Sequence, residues 1–102
     1  MQNPKDDTYT RAIVAEKERL LELSDQELRG LPEYATREIN LDGLSLSLTT
    51  WHQSHSEGFE VLVAQAKRYI FLGYGHMFVD GFILRADGKR EALPPEVYYE
   101  YA

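Results

Sequence analysis

The spacing of apolar residues changes once along the chain and divides it into a helical first third and a strand-rich remainder. Tyr9, Ala12, Ile13, Leu20 and Leu23 fall on one face at helical spacing, with Val14 and Leu21 on its shoulder; Glu16 interrupts the stripe. Asn3 can accept orphan amides as N-cap, and Pro4 lacks only a donor that the first helical position leaves unused. Asp6 and Asp7 then sit where the helix dipole favours negative charge. These signals predict a helix over residues 4–23.

Ser24-Asp25-Gln26-Glu27 reads as a capping box, with Leu23 and Leu28 as its hydrophobic staple. Gly30 is placed to take a left-handed C′ conformation and Pro32 prevents continuation, so a second helix over residues 25–29 is predicted.

From Thr36 onward the period is two. Leu44, Leu46 and Leu48 alternate with Ser45, Ser47 and Thr49 behind Asp42-Gly43, the dipeptide that suits both left-handed positions of a type I′ hairpin. Residues 82–86, Asp87-Gly88 and residues 89–93 repeat the signature. Between the hairpins, Phe59, Leu62, Val63, Ala66 and Ile70 fit a helical face, whereas Val61, Val63, Tyr69 and Phe71 favour a strand. Position between two hairpins decides for a strand, bulged if it reaches Phe71, with Gly73-Tyr74-Gly75 turning the chain into a strand over residues 77–84. Pro94-Pro95 ends the sheet, and Pro95 opens a last short helix through Tyr101. The expected fold is α+β: an N-terminal helix and a short second helix packed on one face of a four- or five-stranded antiparallel meander. Without repeats or linkers, residues 1–102 read as a single domain.

Composition narrows the function. Eleven Lys and Arg against seventeen Asp and Glu give a net charge of −6, which argues against a general phosphate-backbone binder. Absence of cysteine excludes disulfides, thiol nucleophiles and cysteine-ligated metals. Lys5, Asp6, Asp7, Glu16, Lys17, Glu18 and Arg19 replace the apolar core of a secretory signal. The longest apolar run, Tyr69 to Leu72, is far short of the roughly 20 residues of a membrane span. A cytoplasmic protein with no membrane contact is expected.

Signals for catalysis are weak. His52, His55 and His76, with Asp80, are the one set able to suggest a metal or acid–base site. Residues three apart on a strand point to opposite faces, however, and the helical HExxH spacing is absent. Ser54, His76 and Asp80 lack the context of a nucleophile elbow, and Gly73-Tyr74-Gly75-His76 reads as a tight turn. Lys67-Arg68 and Arg85 with Lys89-Arg90 would form one basic patch beside Tyr69 and Tyr74 if their strands pair side by side, yet nucleic acid is not the expected ligand. No catalytic residue, metal ligand or cofactor is assigned.

The carboxy-terminal segment is the most unusual. Residues 91–102 hold Glu91, Glu96 and Glu100, no basic residue, and three of the seven tyrosines. Tyrosine suits interfaces because it buries a large area and keeps a polar tip. The favoured reading is a non-enzymatic, acidic protein-binding module of inhibitor or immunity type, covering a basic partner surface with Trp51, Glu96, Tyr98, Tyr99, Glu100 and Tyr101. Against it stands a purely structural role, in which Val97, Tyr98 and Tyr101 pack back on the helix face. A second reading is a small metal-binding protein or metal-assisted hydrolase using the three histidines. A third is a homodimer formed by adding one exposed sheet edge to another.

Overall fold

The alternating pattern after Thr36 becomes one antiparallel sheet, and the helical pattern before it becomes the layer on one of its faces. The computed structural model describes residues 4–72 and 74–102, so Asn3 as N-cap and Gly73 in its turn lie outside the described residues. The elements are α1 (Pro4–Leu21), α2 (Asp25–Arg29), β1 (Tyr34–Leu41), β2 (Leu44–Ser54), β3 (Glu60–Phe71), β4 (Tyr74–Leu84), β5 (Arg90–Ala92) and α3 (Pro95–Tyr101). The strands run β1-β2-β3-β4-β5 as a meander, each antiparallel to its neighbours. The expected bulge is present as a register shift between Tyr69 and Phe71.

Local chemistry accounts for most boundaries. α1 stops two residues early because Leu23 N–H bonds the Leu20 carbonyl and tightens the last turn. Both halves of the Ser24–Glu27 capping box then form. Gly30 departs from expectation: its φ of −90° is right-handed. Its N–H bonds the Gln26 and Glu27 carbonyls directly, so the helix ends without a left-handed residue.

The two Asp-Gly turns also differ. Asp42 and Gly43 have φ of 53° and 74°, the expected type I′ pair. At Asp87-Gly88 only Gly88 is left-handed, at 91°, and Arg85 N–H bonds the Lys89 carbonyl at 2.8 Å. This is a three-residue loop with a glycine bulge, and it shifts the register so that Leu84 faces Arg90. A one-residue shift moves every side chain to the other face. Arg90 therefore reaches the helical layer, where its guanidinium donates to the Leu21 and Leu23 carbonyls and to Asp25, closing the C-terminal end of α1.

β3 is the centre. Val61, Leu62, Val63 and Ala64 are completely buried, because both faces of this strand are covered. Leu62, Ala64 and Ala66 face α1 and α2, packing with Leu46, Leu48, Phe82, Leu84 and the helical Ile13, Leu20 and Leu28. Val61 and Val63 face the other way, with Ile83, Val97 and Tyr101. The tail thus does close the core, but on the face opposite α1. The apolar odd positions of β3 and β4 leave that face in need of a cover. Glu16, the break in the helical stripe, is buried between Arg19 and Arg37, with Arg37 at 2.8 Å.

Gly81 lets β4 approach β3 closely: a Cβ there would stand 2.1 Å from the Leu62 carbonyl oxygen and 2.9 Å from Val63 Cα. Among the described residues, no helix is long and apolar enough to cross a membrane. In urea denaturation Leu62→Ala is expected to cost about 2–5 kcal/mol through the cavity it leaves. Gly81→Ala should also destabilise, because its methyl group meets backbone; unchanged midpoints for both would contradict this account of the core.

Candidate functional site

The register set by the Asp42-Gly43 turn builds the most distinctive surface. Pairing Leu41 with Leu44 carries Tyr34 opposite Trp51. His52 N–H bonds the Glu33 carbonyl at 2.8 Å, which makes Tyr34 and Trp51 a non-hydrogen-bonded pair whose side chains lie close. Their ring centroids are 5.5 Å apart, and Trp51 in turn stands 6.1 Å from Tyr101. A groove of about 550 Å³ opens beside them, lined by Leu31, Glu33, Tyr34, Trp51, Gln53 and His55 among others.

α3 is held onto this aromatic row at its last turn. Trp51 Nε1 donates to Gln65 Oε1 at 2.8 Å, and Gln65 Nε2 donates to the Tyr101 carbonyl at 2.6 Å. The Tyr101 hydroxyl donates to Gln53. Burial, and secondly the Glu100 charge, push the Tyr101 phenol above its usual value near 10. The six residues singled out in the sequence divide accordingly. Tyr101 is buried and occupied within the chain, Trp51 and Tyr98 are half-buried, and Glu96, Tyr99 and Glu100 are exposed, Tyr99 to 74%. Tyr98 and Tyr99 meet edge to face at 5.5 Å. Tyr34 was missed, although counting back from the Asp-Gly turn places it opposite Trp51.

The three histidines do not converge. His52 is buried, with Nδ1 2.9 Å from the Leu31 carbonyl and Nε2 2.7 Å from Glu60 Oε1. Both neighbours are acceptors, so both contacts are hydrogen bonds when both ring nitrogens carry protons. Glu60 also binds Arg29 at 2.6 Å and Ser54 at 3.2 Å, which ties α2, β2 and β3 together. His55 stacks on Phe59 at 4.5 Å in the β2–β3 loop. His76 pairs with Arg68, six positions along β3 from the Leu62 that pairs with His52, roughly 20 Å away at strand rise. Among the described residues, no group of three His, Asp or Glu is placed to hold a metal. Ser54, His76 and Asp80 are dispersed in the same way: Ser54 serves Glu60, and Asp80 pairs with Lys17 at 2.9 Å.

The basic groups also stay apart. Arg68 lies toward one end of the β3–β4 hairpin and Arg85 and Arg90 at the other, because antiparallel pairing sets Arg68 against His76 and Leu84 against Arg90. Each is neutralised locally, Arg68 by Asp6, Arg85 by Glu91 and Arg90 by Asp25. Lys67 lies over the Tyr69 ring at 4.9 Å.

Compared with family models, curated proteins and solved structures, the chain has no significant match.

Glu60→Gln is expected to lower stability in urea by about 3 kcal/mol, since it leaves buried donors without their charge partner. The raised phenol gives a second expectation. The folded state favours neutral Tyr101, so its contribution is complete below the unfolded value near 10 and is lost as pH rises through the folded one. The urea midpoint should fall above that pH, and Tyr101→Phe should flatten the fall; an identical alkaline decline in the variant would contradict the assignment.

Proposed function

We propose that this protein is a small acidic module that binds a protein partner rather than catalysing a reaction. It acts in the cytoplasm and covers a basic surface in the manner of an inhibitor or immunity protein. One observation carries the reading: α3 presents Glu96, Tyr99 and Glu100 to solvent on a helix whose last residue before the terminus is anchored in the core. Exposed tyrosines on a rigid support lose little entropy on binding, which is what interface anchors need. Tyr34 and Trp51 extend the aromatic surface, and Glu33 beside them adds to its acidic rim. Glu33, Glu96 and Glu100 would steer a basic partner and make association salt-sensitive. Trp51, Tyr98 and Tyr99 supply contact area, while Tyr101 supports them from beneath.

Affinity capture from host lysate at low and moderate salt tests the reading. A basic protein should be retained stoichiometrically at low salt, and Tyr99→Ala should weaken its binding by about 2 kcal/mol. Glu96→Lys with Glu100→Lys should slow association. If both variants keep native circular dichroism and unchanged affinity, the surface is misplaced; if no protein is captured at either salt, the binding-module reading falls.

A further inference from the structure

Among the described residues, two edges of the sheet lack a neighbouring strand: β1 along its length, and β4 where β5 does not reach. β5 pairs only with Phe82, Ile83 and Leu84. The bond from Arg85 N–H to the Lys89 carbonyl shows that odd-numbered residues of this segment turn their backbone groups toward the β5 side. Alternation along the strand then points Gly75, Met77, Val79 and Gly81 outward. The Gly81 N–H is taken by Asp80 Oδ1 at 2.8 Å, which closes that end. Among the described residues, the amides and carbonyls of Gly75, Met77 and Val79 remain with no strand beside them.

We propose that this edge pairs with the same edge of a second copy, antiparallel about a two-fold axis through Met77, joining two five-stranded sheets into one of ten. In that register Met77 pairs with itself and Gly75 with Val79 of the second copy, so every outward group left on the edge is used. The intervening pairs set His76 against Phe78 and Tyr74 against Asp80, with no like charges opposed. The arrangement is isologous and closes at two copies.

The alternative edge is guarded. His52 N–H bonding the Glu33 carbonyl leaves Tyr34, Thr36, Glu38 and Asn40 outward on β1. The two-fold axis that uses all four passes through Arg37 and sets that guanidinium against its own copy. Arg37 is moreover committed to Glu16. β4 has no charge at the equivalent centre.

Side chains agree with the backbone. Tyr69, Ile70, Leu72, Tyr74 and Met77, all exposed, gather at the end of the β3–β4 hairpin, Leu72 to 81% and Tyr74 to 77%. They offer roughly 600 Å² of apolar-rich surface per copy, counting about 150–250 Å² for a whole aromatic side chain, against about 800 Å² per partner in a standard interface. Because Tyr74 falls opposite Asp80, the hairpin end of one copy arrives at a cavity of about 340 Å³ in the other, where Leu21, Phe82, Leu93 and Tyr98 stand among the charged Lys17, Asp80, Arg90 and Glu91. The same chain therefore carries an apolar projection and, at the spacing the register demands, a recess for it.

Light scattering on the full chain, at about 100 μM because association follows mass action, tests the pairing. The expected mass is twice 11.8 kDa, and Met77→Lys should return it to 11.8 kDa with unchanged circular dichroism. Thr36→Pro, which removes an outward amide of β1, should leave the larger mass. Since the chain has no cysteine, Met77→Cys reports independently. Facing Cα atoms about 5.5 Å apart permit a disulfide, so this variant should oxidise to a covalent dimer while Thr36→Cys does not. A wild-type mass of 11.8 kDa, or a dimer broken by Thr36→Pro but not by Met77→Lys, would overturn the proposal. Failure of Met77→Cys to cross-link would do the same.

Discussion

The structure depends on a strand that must be covered from both sides. Val61 to Ala64 of β3 have no exposure, and side chains alternate across a strand, so neither face can be left to solvent at this point. α1 and α2 cover the even positions and α3 the odd ones. The short C-terminal helix is thereby a structural necessity before it is anything else. Its inward residues, Val97 and Tyr101, complete the core, and that attachment makes the outward residues a rigid surface.

Two buried carboxylates organise the rest. Glu16 is clasped by Arg19 and Arg37, joining α1 to the outer strand β1. Glu60 receives Arg29, His52 and Ser54, joining α2 to β2 and β3. A buried carboxylate tolerates burial only when its oxygens are satisfied, so each restricts how helices and strands can be placed relative to one another. They also occupy His52 and Arg37: the first is held by Leu31 and Glu60, the second by its ion pair with Glu16.

The molecule is 41 Å in its longest dimension, and the surface at the last turn of α3 differs chemically from that at the β3–β4 hairpin. Where the last turn of α3 meets β2, Glu33 and Glu100 lie beside a row of aromatic rings. At the β3–β4 hairpin end, apolar side chains project beside strand edge that β5 leaves bare. The proposed partner surface and the proposed self-association meet at Tyr98, which lines the recess beside β4, whereas Tyr34, Trp51 and Tyr99 belong to the first alone and Tyr74 and Met77 to the second. Both arise from β5 being only three residues long: the chain leaves the sheet at Leu93 and Pro94, which sends α3 across the outer face and leaves most of β4 uncovered.

Much of this was legible in the sequence because it rests on neighbouring residues. The Ser24–Glu27 box, the left-handed pair Asp42-Gly43, the period-two leucines and prolines 94 and 95 act within a few positions, so they specify α2, the first hairpin and the end of the sheet without reference to the fold. Register counted from the first turn even places Tyr34 beside Trp51. What depended on packing was not legible. The run from Val61 to Ala64 is apolar on both faces, so its own pattern left helix and strand open, its place between two hairpins alone pointed to the strand, and which elements cover each face could not be read. Asp87-Gly88 closed a three-residue loop because Arg90 gains the α1 carbonyls in that register. Gly30 stayed right-handed because ordinary helical carbonyls satisfied it. His52, Glu16 and Tyr101 drew their roles from residues 8, 21 and 48 positions away. Local signals determine elements one at a time, whereas contacts at such separations exist only after the chain has folded, and tertiary structure alone decided which groups were buried and which remained to bind.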